Sequence, residues 1–339
     1  MSSKRQQGFS LLETMVALAV LLGVCGIVMS GMVQLMKTQN TIGNRTEMHT
    51  SVRSATELLQ QEIGQAGKVS LGPPNVNVTM APVAVGAGGG NSNIVLTPVG
   101  TTLYPGEALT VDLGSNNQET VTVGGTSASP SAFFTKSHVG AAIPVAALGA
   151  FATGVVPPDA TSVAAGCANS VLPTGGNYPG FANGSTCNVL KLYGDINGDG
   201  NMVYVEYTCN QGTQAAPGFL YRNQMPITAG AKPGVDNTMI LLNNVLANPP
   251  SANNANVPCF SYQVRQIGTL GPNYCVSNVA LTLTVQTANR DATTGQFQPE
   301  TKALLNVGPR NIIEVWGTAS LVDPTRAQQM PNTVTALLP

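Results

Sequence analysis

Few residues in this sequence could do chemistry, and the densest set is DINGDGNMVYVE at 195–206. Asp195, Asn197 and Asp199 place an oxygen-bearing side chain at every second position, and Gly200 permits a sharp turn. Asn201 would add a backbone carbonyl, and Glu206 falls where the bidentate carboxylate of a calcium loop belongs. Six to eight oxygens are what Ca2+ takes, so a structural calcium ion is the expected cofactor, stabilising the folded state by binding it alone. Glu206 is the weak member of the set. Met202–Tyr207 alternates as a strand does, and at about 3.3 Å per residue a strand carries Glu206 roughly 20 Å beyond Asp199. A polar turn between two strands fits the same residues.

Other reactive groups are scarce. The two histidines, His49 and His138, have no nucleophile or carboxylate partner visible in sequence and read as solvated. No G-x-S-x-G, H-E-x-x-H or P-loop is present. GAGGGN at 86–91 lacks the spacing and the strand–loop–helix context of a phosphate loop, so it reads as a turn. The chain is not expected to be an enzyme.

One more carboxylate stands out by its surroundings. From Phe9 to Met36 the chain is almost wholly apolar, yet Glu13 lies near the start of the run. An acid there costs roughly 2.5–3.5 kcal/mol at a bilayer centre, less near an interface. The run is long enough to span a membrane as a helix. Lys4 and Arg5 before it predict a cytoplasmic N-terminus and an exported remainder. A secretory signal carries its cleavage site after the apolar stretch; here the small residue, Gly8, precedes it.

The helical period outlasts the apolar run. Ile42, Val52, Ala55, Leu59, Ile63 and Ala66 recur at mostly three- or four-residue steps. Lys37, Arg45, Glu47, Arg53, Glu57 and Glu62 fill much of the other positions. One helix over 9–66 is predicted, stopped by Gly67 and then Pro73–Pro74, with residues 37–66 as its exported amphipathic half. Beyond it come short β-branched and aromatic runs separated by Gly, Pro, Asn and Ser. The clearest is Val279, Leu281, Leu283 and Val285 alternating with Ala280, Thr282, Thr284 and Gln286. The expected class is α+β. A long N-terminal helix packs on a mostly antiparallel sheet head at 67–320, with a low-complexity insertion at 126–185 and a loose tail at 321–339.

Composition supports an exported head. Charged residues are only 9% of the 339, net charge is −1, and 43% hydrophobic content can build a core. That balance leaves no overall footprint for nucleic acid or anionic lipid. Cys25 lies in the apolar run, while Cys167, Cys187, Cys209, Cys259 and Cys275 lie far downstream without any C-x-x-C pair. Widely spaced cysteines on an exported domain read as disulfides. Cys259–Cys275 and Cys167–Cys187 are the pairs expected, leaving Cys209 over, although spacing alone does not fix connectivity.

The opening stretch, a basic leader followed by QQGFSLLE and an uninterrupted apolar run, resembles the class III signal of type IV prepilins and type II secretion pseudopilins. The resemblance implies cleavage after Gly8 by the prepilin peptidase, so that 1–8 is a leader. It also implies N-methylation of Phe9, and residues 9–36 serving as the membrane and assembly helix. Glu13 then becomes an assembly handle, neutralising the new α-amine of a neighbouring subunit. The implied partners are other pilins or pseudopilins, the peptidase and the inner membrane. The implied location is a single-pass inner-membrane protein with a periplasmic head, then a filament reaching as far as the cell surface. Size, a Tyr-rich strand after the Asp/Asn-Gly loop and the late NVGPRN segment are similar to large minor pilins of PilW type and to J-type minor pseudopilins, which prime or cap filament assembly. The alternative function is a tip adhesin that binds through the insertion.

Overall fold

The computed structural model describes residues 10–68, 76–80, 93–98, 103, 105–111, 116–126, 128–138, 143–147, 154–173, 175–199, 201–250, 257–266, 274–311 and 330–339. They divide into two units: residues up to Ser51 with Gln286–Pro299, and Val52–Val285 with Glu300–Pro339. A single helix, α1 (Leu11–Gln65), runs through 55 residues, about 82 Å at 1.5 Å per residue. Gly23, Gly26, Gly31 and Gly43 do not interrupt it.

In the second unit the last turns of α1 are amphipathic. Val52, Ala55, Leu59, Ile63 and Ala66 are buried, at steps of three and four residues. Burying each of the larger two, Leu59 and Ile63, contributes about 1.5–3 kcal/mol. Glu62, expected on the exposed side, is only 3% exposed and lies on this inner face. The helix ends where its orphan carbonyls find donors: Asn311 Nδ2 donates to the carbonyls of Gln65 (3.0 Å) and Ala66 (3.3 Å). Gly67 follows with φ +82°, a left-handed end that favours glycine.

The β-rich part holds two sheets where one large sheet was expected. Strands β1 (Val76–Met80), β2 (Asn93–Pro98), β3 (Ala108–Val111), β4 (Glu119–Thr126), β5 (Ser129–Phe133) and β6 (Ile143–Ala147) close into an antiparallel barrel in the order β1-β2-β5-β4-β3-β6. The stretch 126–185 is therefore not a strandless insertion. It supplies β5, β6 and a short helix, α2 (Ala160–Ala164), capped by Asp159, whose carboxylate accepts from the Ser162 amide. Cross-strand partners hold Ser, Pro and Ala in strands that their own propensity does not signal.

The second sheet comprises β7 (Val189–Gly194), β8 (Val203–Asn210), β9 (Gly218–Pro226), β10 (Ile240–Leu246), β11 (Phe260–Gln266), β12 (Tyr274–Gln286) and β13 (Pro299–Val307). Its order is β11-β12-β10-β9-β8-β7, with β13 also beside β12. Val279, Leu281, Leu283 and Val285 are buried as expected, but Thr284 and Gln286 on the alternate face are buried too. Loop segments cover the ends of the sheet. Val156 donates its amide to Lys191 on β7, and the amides of Phe260 and Tyr262 on β11 reach the carbonyls of Cys187 and Cys167. The Asn169 side chain completes that edge by accepting from the Val264 amide at 2.6 Å, so the strand offers less template for edge-to-edge pairing.

The C-terminus is not a loose tail. Helix α3 (Asn332–Leu337) buries Val334 and Leu337, and Leu338 after it, in one core with Leu109, Val121 and Val123 of the barrel and Tyr193, Tyr204 and Met225 of the sheet. Lys191, itself buried, donates Nζ to the Leu338 carbonyl at 2.6 Å and to that of Asn183 at 3.0 Å. GAGGGN and all of 312–329, Trp316 included, lie outside the described residues.

Candidate functional site

The first half of α1 is exposed throughout. Every residue from Leu11 to Met36 is exposed, including Leu11, Leu18, Leu22, Ile27, Val33 and Met36. A helix apolar on all sides belongs in lipid or in the core of a larger assembly. It is long and apolar enough to cross a membrane. Glu13 sits in its first turn, where the helix end favours negative charge. The Glu13 amide donates to the Ser10 carbonyl at 3.0 Å, and the Thr14 hydroxyl donates to the Leu11 carbonyl at 3.0 Å, so the turn carrying the acid is locally ordered. Gly8 and Phe9 lie outside the described residues.

The second candidate, the 195–206 loop, is only partly assembled. Asp195 is buried, with its Oδ2 3.1 Å from the Lys68 ammonium. Asp199 accepts the Asn201 amide at 2.9 Å; that bond and the Asn201 side chain hold its carboxyl below the ordinary value. Glu206 does not join them, which corrects its place in the ligand set. It lies on β8 opposite Lys191 and Asn223, with Oε2 accepting from the Tyr204 hydroxyl (2.8 Å) and Lys232 Nζ (3.1 Å). The strand geometry that carries it away from Asp199 was legible in the alternation of 202–207. Among the described residues no three His, Cys, Asp or Glu side chains cluster as a metal site.

Two disulfides brace the head: Cys167–Cys187 (Cα–Cα 5.6 Å) and Cys209–Cys259 (Cα–Cα 6.5 Å). The expected Cys259–Cys275 bond does not form, and strand register is the reason. Arg265 pairs with Cys275, whereas Cys259 accepts the Thr282 amide at the opposite end of the same hairpin. Seven strand residues separate Thr282 from Cys275, about 20 Å at 3.3 Å each, far beyond disulfide reach. Cys275 is free and buried, and burial pushes its thiol up to about 12. A non-reduced digest should therefore yield a linked Cys209–Cys259 peptide and alkylate Cys275 only after unfolding. Removing that bond with Cys209→Ser and Cys259→Ser should lower stability by about 4 kcal/mol in denaturant titration, as a closed loop of about 50 residues implies.

Sequence reasoning missed a third group. Glu62 on α1 accepts from the Tyr207 hydroxyl at 2.6 Å and from Arg222 Nη2 at 2.5 Å and Nε at 3.0 Å. Burial and then the Glu62 carboxylate push the Tyr207 hydroxyl above its ordinary value. The available signal was an acid at step three of an otherwise apolar stripe. His138 was likewise read as solvated but is fully buried, its Nε2 2.7 Å from Glu119 Oε1. Glu119 also accepts the Thr135 and Lys136 amides at the barrel's end, so this histidine is structural.

A membrane-length apolar helix with an acid in its first turn, in a chain that also has a disulfide-braced β-rich part, fits a membrane-anchored, pilin-like protein. Comparison with known families agrees: the prokaryotic N-terminal methylation motif matches residues 3–33. It marks a pilin- or pseudopilin-type N-terminus and implies processing by the prepilin peptidase and assembly with other pilins. No curated protein and no solved structure matches the chain.

Proposed function

We propose that the chain is a minor pilin or minor pseudopilin that primes or caps a type IV pilus or a type II secretion pseudopilus. It is stored in the inner membrane with its N-terminus cytoplasmic and its head periplasmic, then docks through α1 and Glu13. The observation that carries this reading is the all-round exposed apolar helix with one carboxylate in its first turn, under the methylation motif. The head supports a role in few copies: a barrel added to a seven-stranded sheet is bulky for a subunit repeated along a filament. This is also what favours the PilW-type or J-type placement. Mass spectrometry of the protein from cells with an active prepilin peptidase should find a mature chain beginning at N-methylated Phe9. A chain beginning anywhere else overturns the proposal.

The head carries a structural cation site in the same proposal. Calcium on Asp195, Asn197, Asp199 and the Asn201 carbonyl has to displace the Lys68 ammonium from Asp195. Lys68→Met should therefore tighten calcium binding by about tenfold in isothermal titration of the full-length protein in detergent, the equivalent of one lost competing ion pair. Absence of heat at millimolar calcium in both forms rules out the metal.

A further inference from the structure

The tip between β12 and β13 is a built element that the assembly reading leaves without a role. Within the first unit it lies along α1. Asn289 Nδ2 stands 3.5 Å from Asn44 Oδ1, Arg45 donates to the Gln298 side chain, and the Thr41 hydroxyl bonds Asp291. Farther down, Thr293 joins Gly31, Gln34, Leu35, Lys37 and Thr38 around a hollow of about 440 Å³. From Arg45 to Gly31 the tip thus follows α1 for about 20 Å toward its apolar end. It stops at the boundary itself: Met36 ends the apolar run, and Lys37 is the first charge after Glu13.

The loop is preorganised. Asp291 Oδ1 accepts the amides of Thr293 and Thr294, both at 2.8 Å, and its Oδ2 accepts Gln298 Nε2 at 2.6 Å. Gly295 takes φ +69°, and its carbonyl accepts Arg290 Nη1 at 3.2 Å. The Arg290 guanidinium lies 5.1 Å over the Phe297 ring. Asp291 is buried, its oxygens bonded within the loop and to Thr41, so the exposed charges of 31–45 and 289–297 are Lys37, Arg45 and Arg290. The next acid along α1, Glu47, adjoins Arg45 two residues on but is ten residues beyond Lys37, about 15 Å from it. A hydrocarbon layer of about 30 Å takes about 20 residues of helix, which puts 31–38 at the outer headgroup level.

We propose that this tip, residues 289–297, is a foot that holds anionic phospholipid headgroups while the subunit is stored in the membrane. Lys37 and the outward N–H groups of Arg290 receive the phosphate, and Phe297 under the guanidinium sits at the interface. This inference rests on the membrane-stored reading above.

The test uses full-length protein in nanodiscs of phosphatidylcholine alone or with phosphatidylglycerol. A fluorophore is placed either on the native Cys25 or on Thr293→Cys in a Cys25→Ser background. Spin labels on the lipid headgroup and on the acyl chain act as quenchers. The foot predicts acyl-chain quenching of Cys25 and headgroup quenching of position 293. The latter should strengthen at least about threefold with phosphatidylglycerol and be lost in Lys37→Gln/Arg290→Gln, since two surface cations favour an anionic headgroup by up to about thirtyfold in affinity. Quenching at 293 that is equal in neutral discs, or that needs a second pilin, overturns the foot and leaves the membrane reading intact. Lack of quenching at Cys25 overturns the membrane reading, and the foot with it.

Discussion

Replacing Glu13 by alanine is expected to leave cleavage after Gly8 intact and to cut incorporation into filaments by about a hundredfold or more. In the proposed processing the cut falls at the Gly8–Phe9 bond, whereas the carboxylate lies in the first turn of α1. Such a cut would create a positive α-amine four residues before Glu13. Glu13 lies at the end of a helix whose first half is exposed and apolar on all sides, and each charge is costly in lipid alone. Docking subunits side by side lets an acid of one chain meet the amine of another. Stranding one member of a buried pair costs roughly 3–5 kcal/mol, hence the size of the expected loss. Glu13→Gln keeps the shape and removes the charge, so it should fail as alanine does, while Glu13→Asp should retain part of the incorporation. Immunoblots of sheared filament against membrane fractions read the ratio. Normal incorporation of the alanine or glutamine form sinks the handle.

What the sequence disclosed follows the length scale of the signal. The helix was legible over its full span because an uninterrupted apolar run and a three-to-four period are local patterns. The main strands were legible for the same reason: MVYVEY and NVALTLTVQT alternate within themselves. The barrel was not, because SPSAF and IPVAA are strands only through their neighbours, pairing as Asn93–Phe133 and Val76–Val145. Register was invisible as well, and it decides the misplaced cysteine. The Cys275–Arg265 pairing keeps Cys275 from Cys259, whereas the departure of Glu206 from the 195–201 loop, now paired with Lys191, already showed in the alternation of 202–207. The C-terminal helix escaped notice because Val334, Leu337 and Leu338 form too short a stripe to show a period, and only the core they enter explains them. The N-terminal motif was legible as a local pattern, since leader, glycine, aromatic and acid follow one another closely, and the methylation motif matches over 3–33.

Glu62→Ala should free the end of α1 from the sheet, raising hydrogen exchange of the amides at 55–63 by about a hundredfold. Glu62 is 5% exposed at its side chain and meets the Arg222 guanidinium, 22% exposed, along with the Tyr207 hydroxyl. Removing the acid strands a half-buried guanidinium and a buried hydroxyl at once, a loss of roughly 3–5 kcal/mol where a buried pair is broken from one side. At about 1.4 kcal/mol per decade, the lower bound already gives that hundredfold. Tyr207→Phe deletes one hydrogen bond and should cost about 1 kcal/mol, moving exchange less than tenfold. Arg222→Met leaves Glu62 with only the tyrosine and should approach the alanine effect. The double variant Glu62→Leu/Arg222→Met separates a specific pair from mere packing. With both charges replaced by apolar groups of similar volume, no ion is left stranded, and much of the protection should return. If instead the double variant exchanges as fast as the two single losses added together, the groups act independently and the clamp between helix and sheet does not exist.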